Sequence, residues 1–400
     1  MISTSLLPPL RVTRIVVGCV LATLACAVSL SAQSPSQKPQ QFAVRAKRIV
    51  TGAGPDIIDG VILIEKGKIK ALGQKLEVPK GWKVIDHRDR VLIPGMIDMA
   101  SRAGAPKDLR ESAVAVDSRT CALDAVALDH RDFAMLCEAG ITAVGVLPER
   151  RNAYSGQGCV LKTGSAYQKR VVEVHGPVMM TLDASAYSRL RMPASYIGLI
   201  KLHRLILETA KGGRAGPSLV GLARGKRKGV LYARTEQALK DSLKLKRRFD
   251  LDITLMAANA IRRVVDEFAN SGMRVALLTP TFRSGKRRLT LPALLEKKGI
   301  QVVFYADTPN LAPAGLRLGA ALAAQNGLGR RAALASITSG PAEALGVAAR
   351  IGSLAVGKDA DFVVLSADPF DFSAAVIETW VDGRREYRKK PNAKKKELAP

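Results

Sequence analysis

At 400 residues the chain is too long for one small domain; it has room for two, or for one large α/β barrel with an appendage. With 47% hydrophobic and 24% charged residues it is neither disordered nor fibrous. Lys and Arg number 62 against 35 Asp and Glu, a formal net charge of +27, which excludes an ordinary acidic surface and points to an anionic partner, either an acidic polymer or an anionic surface. Aromatics make up only 4% of the chain, which argues against a single-strand nucleic-acid binder built on stacked bases. Four histidines in the whole sequence constrain any metal or triad chemistry.

The N-terminus carries Arg11 and Arg14, an apolar run from Ile15 to Leu30, and then the small residues Ser31 and Ala32 before a polar stretch. This pattern predicts a secretory signal over residues 1–32, with export to a periplasm or the cell exterior. The run is 16 residues long, short for a spanning helix at ~20, so no integral membrane segment is expected after cleavage. Cys121, Cys137 and Cys159 remain in the exported chain, with no Cys-x-x-Cys, and read as small buried hydrophobes.

Residues 42–93 read as strands. Ala43–Ala46 and Val61–Glu65 are β-rich, Lys66-Gly67-Lys68 is a hairpin signal before Ile69–Leu72, and Val84–Asp86 and Val91–Ile93 follow. From Pro94 the rhythm changes to short apolar runs alternating with helical patterns. Strands are expected at Ile141–Leu147, Gly229–Ala233, Asp252–Met256, Met273–Thr279 and Gln301–Ala306. Helices are expected at Asp124–Glu138, Ile197–Ala210, Thr235–Phe249, Asn259–Asn270, Leu291–Lys298 and Ala312–Gln325. Such alternation implies parallel pairing with crossovers, and the span of 94–345 fits a TIM-type (β/α)8 barrel. Strands return at Ala360–Leu365 and Val376–Val381, so 42–93 and 346–388 are expected to build a small β-sandwich jointly, each piece being too small alone. A basic tail occupies 389–400.

Several runs resemble the amidohydrolase superfamily, in particular its imidazolonepropionase-like branch. They are Ala333–Ala342 with Leu345-Gly346, Arg350–Leu354, Gly357–Leu365 and Val381–Arg384, together with Leu92-Ile93-Pro94-Gly95-Met96-Ile97-Asp98, Gly140–Val144 and Ser155–Gly158. The resemblance implies the same barrel and β-sandwich. It also implies a hydrolase of non-peptide C–N bonds, of the cyclic amide or imide class, using Zn or another divalent metal to activate water. Its metal ligands do not carry over. The His-x-His positions are Ala100 and Arg102, and the next two histidines fall near Tyr232 and Ala257. Asp307 alone matches a ligand position, and Arg102 opposes a divalent cation by like charge.

Asp307 therefore reads either as a catalytic proton acceptor or as a cap for a helix starting at Thr308-Pro309. Arg102 reads either as a surface residue or as a guanidinium in the vacated metal position, paired with Asp307; a separation beyond ~6 Å would exclude that pair. His87, His130, His175 and His203 are scattered, with His175 the one placed nearest a barrel mouth by its strand. No phosphate-binding loop is present. The basic runs Arg224–Lys228 and Arg283–Arg288 are not accompanied by a nucleic-acid motif, so no specific nucleic acid is expected. Two functions stay open: a hydrolase acting on a small molecule through Asp307 and Arg102, or a catalytically inactive relative that binds an acidic polymer or partner.

Overall fold

Alternation of apolar side chains with period two drives the N-terminal segment into β1 (Gln41–Ile49), β2 (Ile57–Glu65), β3 (Lys68–Gly73) and β4 (Lys83–Pro94). These ranges come from a computed structural model that describes residues 41–105, 109–256 and 259–390. The expected signal at 1–32 and nearly all of the tail at 389–400 lie outside the described residues, as does Ala257. The two short runs expected at Val84–Asp86 and Val91–Ile93 form one strand, β4, which pairs in parallel with β1 along its length through a bulge at Ala46–Arg48.

The middle of the chain begins with β5 (Met96–Ser101), β6 (Val116–Cys121), β7 (Ile141–Val146), β8 (Tyr154–Gln157), β9 (Cys159–Lys162) and β10 (Val171–Glu173). It continues with β11 (Val178–Thr181), β12 (Gly229–Tyr232), β13 (Ile253–Met256), β14 (Arg274–Leu278) and β15 (Val302–Tyr305). β16 (Phe362–Leu365), β17 (Val376–Val381) and β18 (Arg384–Arg388) complete the strands.

Three sheets result. Both ends of the chain share one seven-stranded sheet in the order β18-β17-β16-β4-β1-β2-β3. β10-β9-β7-β5 forms a four-stranded sheet, and β15-β14-β13-β12-β11-β8-β6 a second seven-stranded one. β11 to β15 are parallel neighbours, and β5 is parallel to β7. The chain is thus a mixed α/β protein: strands and helices alternate from β11 to β15, whereas β7 to β11 follow one another with only a 3-10 turn among them.

Both faces of the parallel strands are buried, which is why they read as near-continuous apolar runs. Leu231, Leu255, Val275 and Phe304 face the layer packed with helices. Their alternates Val230, Met256, Ala276 and Val303 face the other layer, with Ile97, Met99 and Leu345. Each fully buried side chain of this kind contributes about 1.5–3 kcal/mol by leaving water.

Two expected helices are interrupted. Asp124–Glu138 is α-helical only over Asp132–Glu138, after a 3-10 turn at Ala122–Ala125, because the Ala127 N–H leaves to donate to the Gly104 carbonyl and Val126 is extended. Asn259–Asn270 splits into a 3-10 turn and a single turn at Val265–Phe268, broken at the non-helical Val264. The break lets Ile261, Val264, Val265 and Phe268 all be buried.

Two glycines of the motifs have a packing reason. A Cβ on Gly95, at the β4–β5 junction, would lie 2.0 Å from the Thr142 hydroxyl. Gly352 has a left-handed φ of 93°, and its Cβ would lie 2.6 Å from Ala342. Among the described residues, no helix is long and apolar enough to cross a membrane.

Candidate functional site

The C-terminal ends of β5, β7, β13, β14 and β15 meet around a cleft of about 170 Å³ lined by Ala100, Arg102, Glu149, Arg150, Tyr305 and Asp307, with Met179 and Met256 among its apolar walls. Loops at the carboxyl ends of parallel strands are where α/β folds carry their sites.

The chain builds this cleft with a clamp between β5 and the end of β15. Asp98 is fully buried. It accepts hydrogen bonds from the Ala306 N–H at 2.9 Å, the Thr308 N–H at 3.1 Å and the Thr308 hydroxyl at 2.8 Å. The Ala100 N–H adds a fourth at 3.3 Å. Ser101 Oγ donates to the Thr308 carbonyl at 2.8 Å, and the Arg102 N–H to the same carbonyl at 2.6 Å. Asp307 sits between Ala306 and Thr308 with a left-handed φ of 50°, a conformation Asp tolerates better than most residues.

The clamp sets Arg102 and Asp307 face to face. Arg102 Nε lies 3.6 Å from Asp307 Oδ1, inside the pairing range, and Arg102 Nη1 lies 3.0 Å from Glu149 Oε1. Arg102 and Glu149 are each 24% exposed and Asp307 is 42% exposed, so the network is open to water on one side. The capping alternative for Asp307 is corrected: no helix starts there, the next begins at Gly315, and Asp307 instead accepts from Asn310 Nδ2 at 3.2 Å in a turn.

Tyr232 is buried, with the Arg150 guanidinium 4.3 Å above its ring. Ala100 presents only a methyl group to the cleft. His175 is corrected: it is exposed, and its carbonyl accepts from Arg227, which precedes the N-terminal end of β12, the end opposite the cleft. His203 is fully buried on helix Tyr196–Lys211, with Nε2 2.9 Å from the Thr181 carbonyl. Burial lowers its pKa to about 4, so it is neutral. His87 lies 3.2 Å from Glu378 and His130 3.0 Å from Asp132; neither lines the cleft.

These residues do not fit a divalent metal. A metal of this type wants several neutral imidazoles and carboxylates. Here the two carboxylates already share a fixed cation, and their other neighbours are a methyl, thioethers and aromatic rings. Among the described residues, no three His, Cys, Asp or Glu side chains gather in a way that could hold a metal ion. Cys121, Cys137 and Cys159 are unbridged and buried, as their composition suggested.

Glu149 and Arg150 were not singled out from the sequence. The signal was available: they follow directly on the buried run Ile141–Leu147, at the end of a strand where loops carry function. The basic runs are partly engaged. Lys228 pairs with Asp252 at the N-terminal strand ends, and Arg288 Nη2 donates to the Leu278 carbonyl at 3.1 Å.

Asp98 gives a pH-dependent prediction. Burial raises its carboxyl pKa to about 6, against four donors that favour the charged form. The folded state therefore prefers the proton. The stability this carboxyl contributes is complete below the ordinary value near 4 and is lost as pH rises through about 6. Asp98→Asn is expected to remove that slope from thermal melts between pH 4 and 7, and to cost about 1–3 kcal/mol by turning an amide N–H₂ toward the Thr308 N–H. An unchanged slope in the variant would assign the pH dependence elsewhere.

Residues 229–387 match the model of the Amidohydrolase family. A stretch of 94 residues is 37% identical to amidohydrolase tasK of Hapsidospora irregularis, covering 24% of this chain and only 10% of that protein. Among solved structures, an amidohydrolase from Thermotoga maritima MSB8 superposes with a TM-score of 0.77 at 21% identity, over 87% of this chain and 100% of that one. A Xaa-Pro dipeptidase with bound methionine gives a TM-score of 0.58 at 14% identity, over 87% and 100% of the two chains. Phenylurea hydrolase B gives 0.58 at 15%, over 86% and 96%. At these identities the structural likeness is one of fold.

Proposed function

We propose that this chain is a member of the amidohydrolase superfamily, a reading supported by the family match over residues 229–387, and that its cleft binds a small amide-like ligand through a fixed ion-pair network standing where a metal centre would stand. The observation that carries this reading is the Arg102 guanidinium held between Glu149 at 3.0 Å and Asp307 at 3.6 Å. A planar cyclic amide or imide complements it: the carbonyl oxygen accepts from Arg102 or Arg150, and the ring N–H donates to Asp307 or Glu149. A cleft of about 170 Å³ suits a ligand smaller than those of ordinary sites at about 300–1,000 Å³.

A second reading, hydrolysis of a non-peptide C–N bond, is favoured by the presence of Asp307 and Arg102 in one cleft. Water would attack the carbonyl carbon, Asp307 would take its proton, Arg102 would steady the oxyanion, and the ring nitrogen would leave with the proton. A guanidinium already engaged by two carboxylates has less to give to a developing oxyanion, which favours binding over turnover. The same reading takes 94–345 as a (β/α)8-type barrel, 42–93 with 346–388 as its appended β-sandwich, and the chain as exported through residues 1–32. Its basic surface would meet an acidic polymer or anionic surface.

The test is a panel of cyclic amides and imides, with binding followed by calorimetry and turnover with and without chelator or added Zn²⁺. Saturable binding with no chelator-sensitive turnover is expected. Turnover that chelator abolishes and Zn²⁺ restores would overturn the reading.

A further inference from the structure

A second cleft lies on the other side of the segment Pro148–Arg151. Glu149 and Arg150 line the first cleft; Arg151 lines the second, with Arg110, Ser112, Ser185, Ser188 and Arg191. These residues follow the C-terminal ends of β5, β7 and β11, so the second cleft also opens among the strand-end loops. We propose that it is a binding site for a phosphomonoester group.

The charge is one-sided. Three arginines line the cleft, and no Asp or Glu does so among the described residues. Of the two acids beside the lining residues, Asp183 is held by Arg234 at 3.0 and 3.1 Å, and Glu111 accepts from the Ala113 N–H of its own turn and keeps its single charge. Among the described residues the three guanidinium groups outnumber that one carboxylate, so an anion entering the cleft meets net positive charge.

Arg191 is locked in place. Its Nε donates to the Ser112 carbonyl at 2.9 Å, and its Nη2 to the Arg151 carbonyl at 3.1 Å and to Asn152 Oδ1 at 2.5 Å. Its Nη1 is buried and has no acceptor. A buried donor left unpaired costs about 1–3 kcal/mol, and such groups are normally answered by a water or an ion. Two edges of the fork are thus fixed by the fold, which holds the guanidinium rigidly in the wall of the cleft. Arg110 and Arg151 are exposed and make no side-chain hydrogen bond among the described residues, so they are free to close over an anion.

Three guanidinium groups with serine hydroxyls match the several oxygens and the double charge of a phosphate better than a single carboxylate does. The cleft volume, about 370 Å³, is roughly ten times the ~30 Å³ share of a water molecule, which leaves room for an organic body beyond the phosphate. That favours an esterified phosphate over the free ion. The inference stands on different residues from the Arg102 reading and does not depend on it.

The test uses the full chain, with inorganic phosphate and phenyl phosphate titrated by calorimetry and by thermal melts at constant ionic strength. Phenyl phosphate is expected to bind saturably and more tightly than inorganic phosphate. Arg110→Gln and Arg151→Gln together are expected to weaken it by about tenfold per guanidinium removed while leaving the ligand-free melting temperature unchanged. Arg191→Lys, which keeps the charge but loses the fork, should weaken it as well. Equal affinity for the free ion would still place the anion here but assign it to inorganic phosphate. No saturable binding, or binding indifferent to the Arg110→Gln and Arg151→Gln pair, would overturn the proposal.

Discussion

Replacing Lys162 by methionine is expected to lower stability by about 3–5 kcal/mol, the cost of leaving buried carboxylates without their cation. Lys162 is 2% exposed at the end of β9. Its ammonium lies 2.8 Å from Asp359 and 3.0 Å from Asp361, and also pairs with Asp382. Burial alone would lower its pKa, but Asp361, Asp382 and Asp359 raise it well above the ordinary value, so it is charged. Asp359 is further held by Lys68 at 2.9 Å and Arg350 at 3.0 Å. The network ties β9, in the four-stranded sheet, to the segment before β16 and the β17–β18 turn in the sheet built from both chain ends. Urea unfolding at neutral pH reads the effect. A midpoint unchanged by the substitution would mean that Lys68 and Arg350, not Lys162, carry the balance of charge around these carboxylates.

Replacing Arg102 by alanine is expected to change the character of the cleft more than its stability. Arg102 is partly exposed, so its ion pairs contribute about 1 kcal/mol or less to folding. Removing it leaves Glu149 and Asp307 facing each other with no cation between them, a pair of carboxylates that attracts a divalent ion. Thermal melts should therefore show no stabilisation of the natural protein by Zn²⁺ or Mn²⁺ and clear stabilisation of the variant, about 2.7 kcal/mol once the metal reaches a hundred times its dissociation constant. If both proteins respond alike, the guanidinium is not what keeps a metal out.

Much of the fold was legible because it rests on local periodicity. Buried parallel strands announce themselves as apolar runs, and Ile141–Val146, Gly229–Tyr232 and Val302–Tyr305 lie where their patterns placed them. Helix Glu236–Phe249 lies within the expected Thr235–Phe249, with the Thr235 side chain capping its first turn. What periodicity missed are elements bent by distant partners. The expected helix Asp124–Glu138 loses its first half because Ala127 pairs with Gly104.

The site was legible in part. Arg102 and Asp307 were visible as an unusual substitution and a retained carboxylate, and their separation of 3.6 Å agrees with pairing. Glu149 was not visible, because nothing local says that a charged residue after Leu147 will reach across to Arg102. Nor was the role of Asp98, which holds Thr308 from 210 positions away in sequence. The tempting local reading of Asp307, a helix cap before Thr308-Pro309, failed because Asp98 and Ser101 had already claimed the Thr308 backbone and hydroxyl groups. The odd cluster around Arg191 needed three loops at once.

The proposed function turns on whether the Arg102 guanidinium takes the place of a metal in this cleft. The direct measurement is anomalous diffraction at the zinc edge from crystals of the natural chain grown with excess Zn²⁺. The account predicts no anomalous peak between Glu149 and Asp307, with Arg102 bridging them. A zinc peak bound to Asp307, with the Arg102 side chain turned out of the cleft, would contradict it.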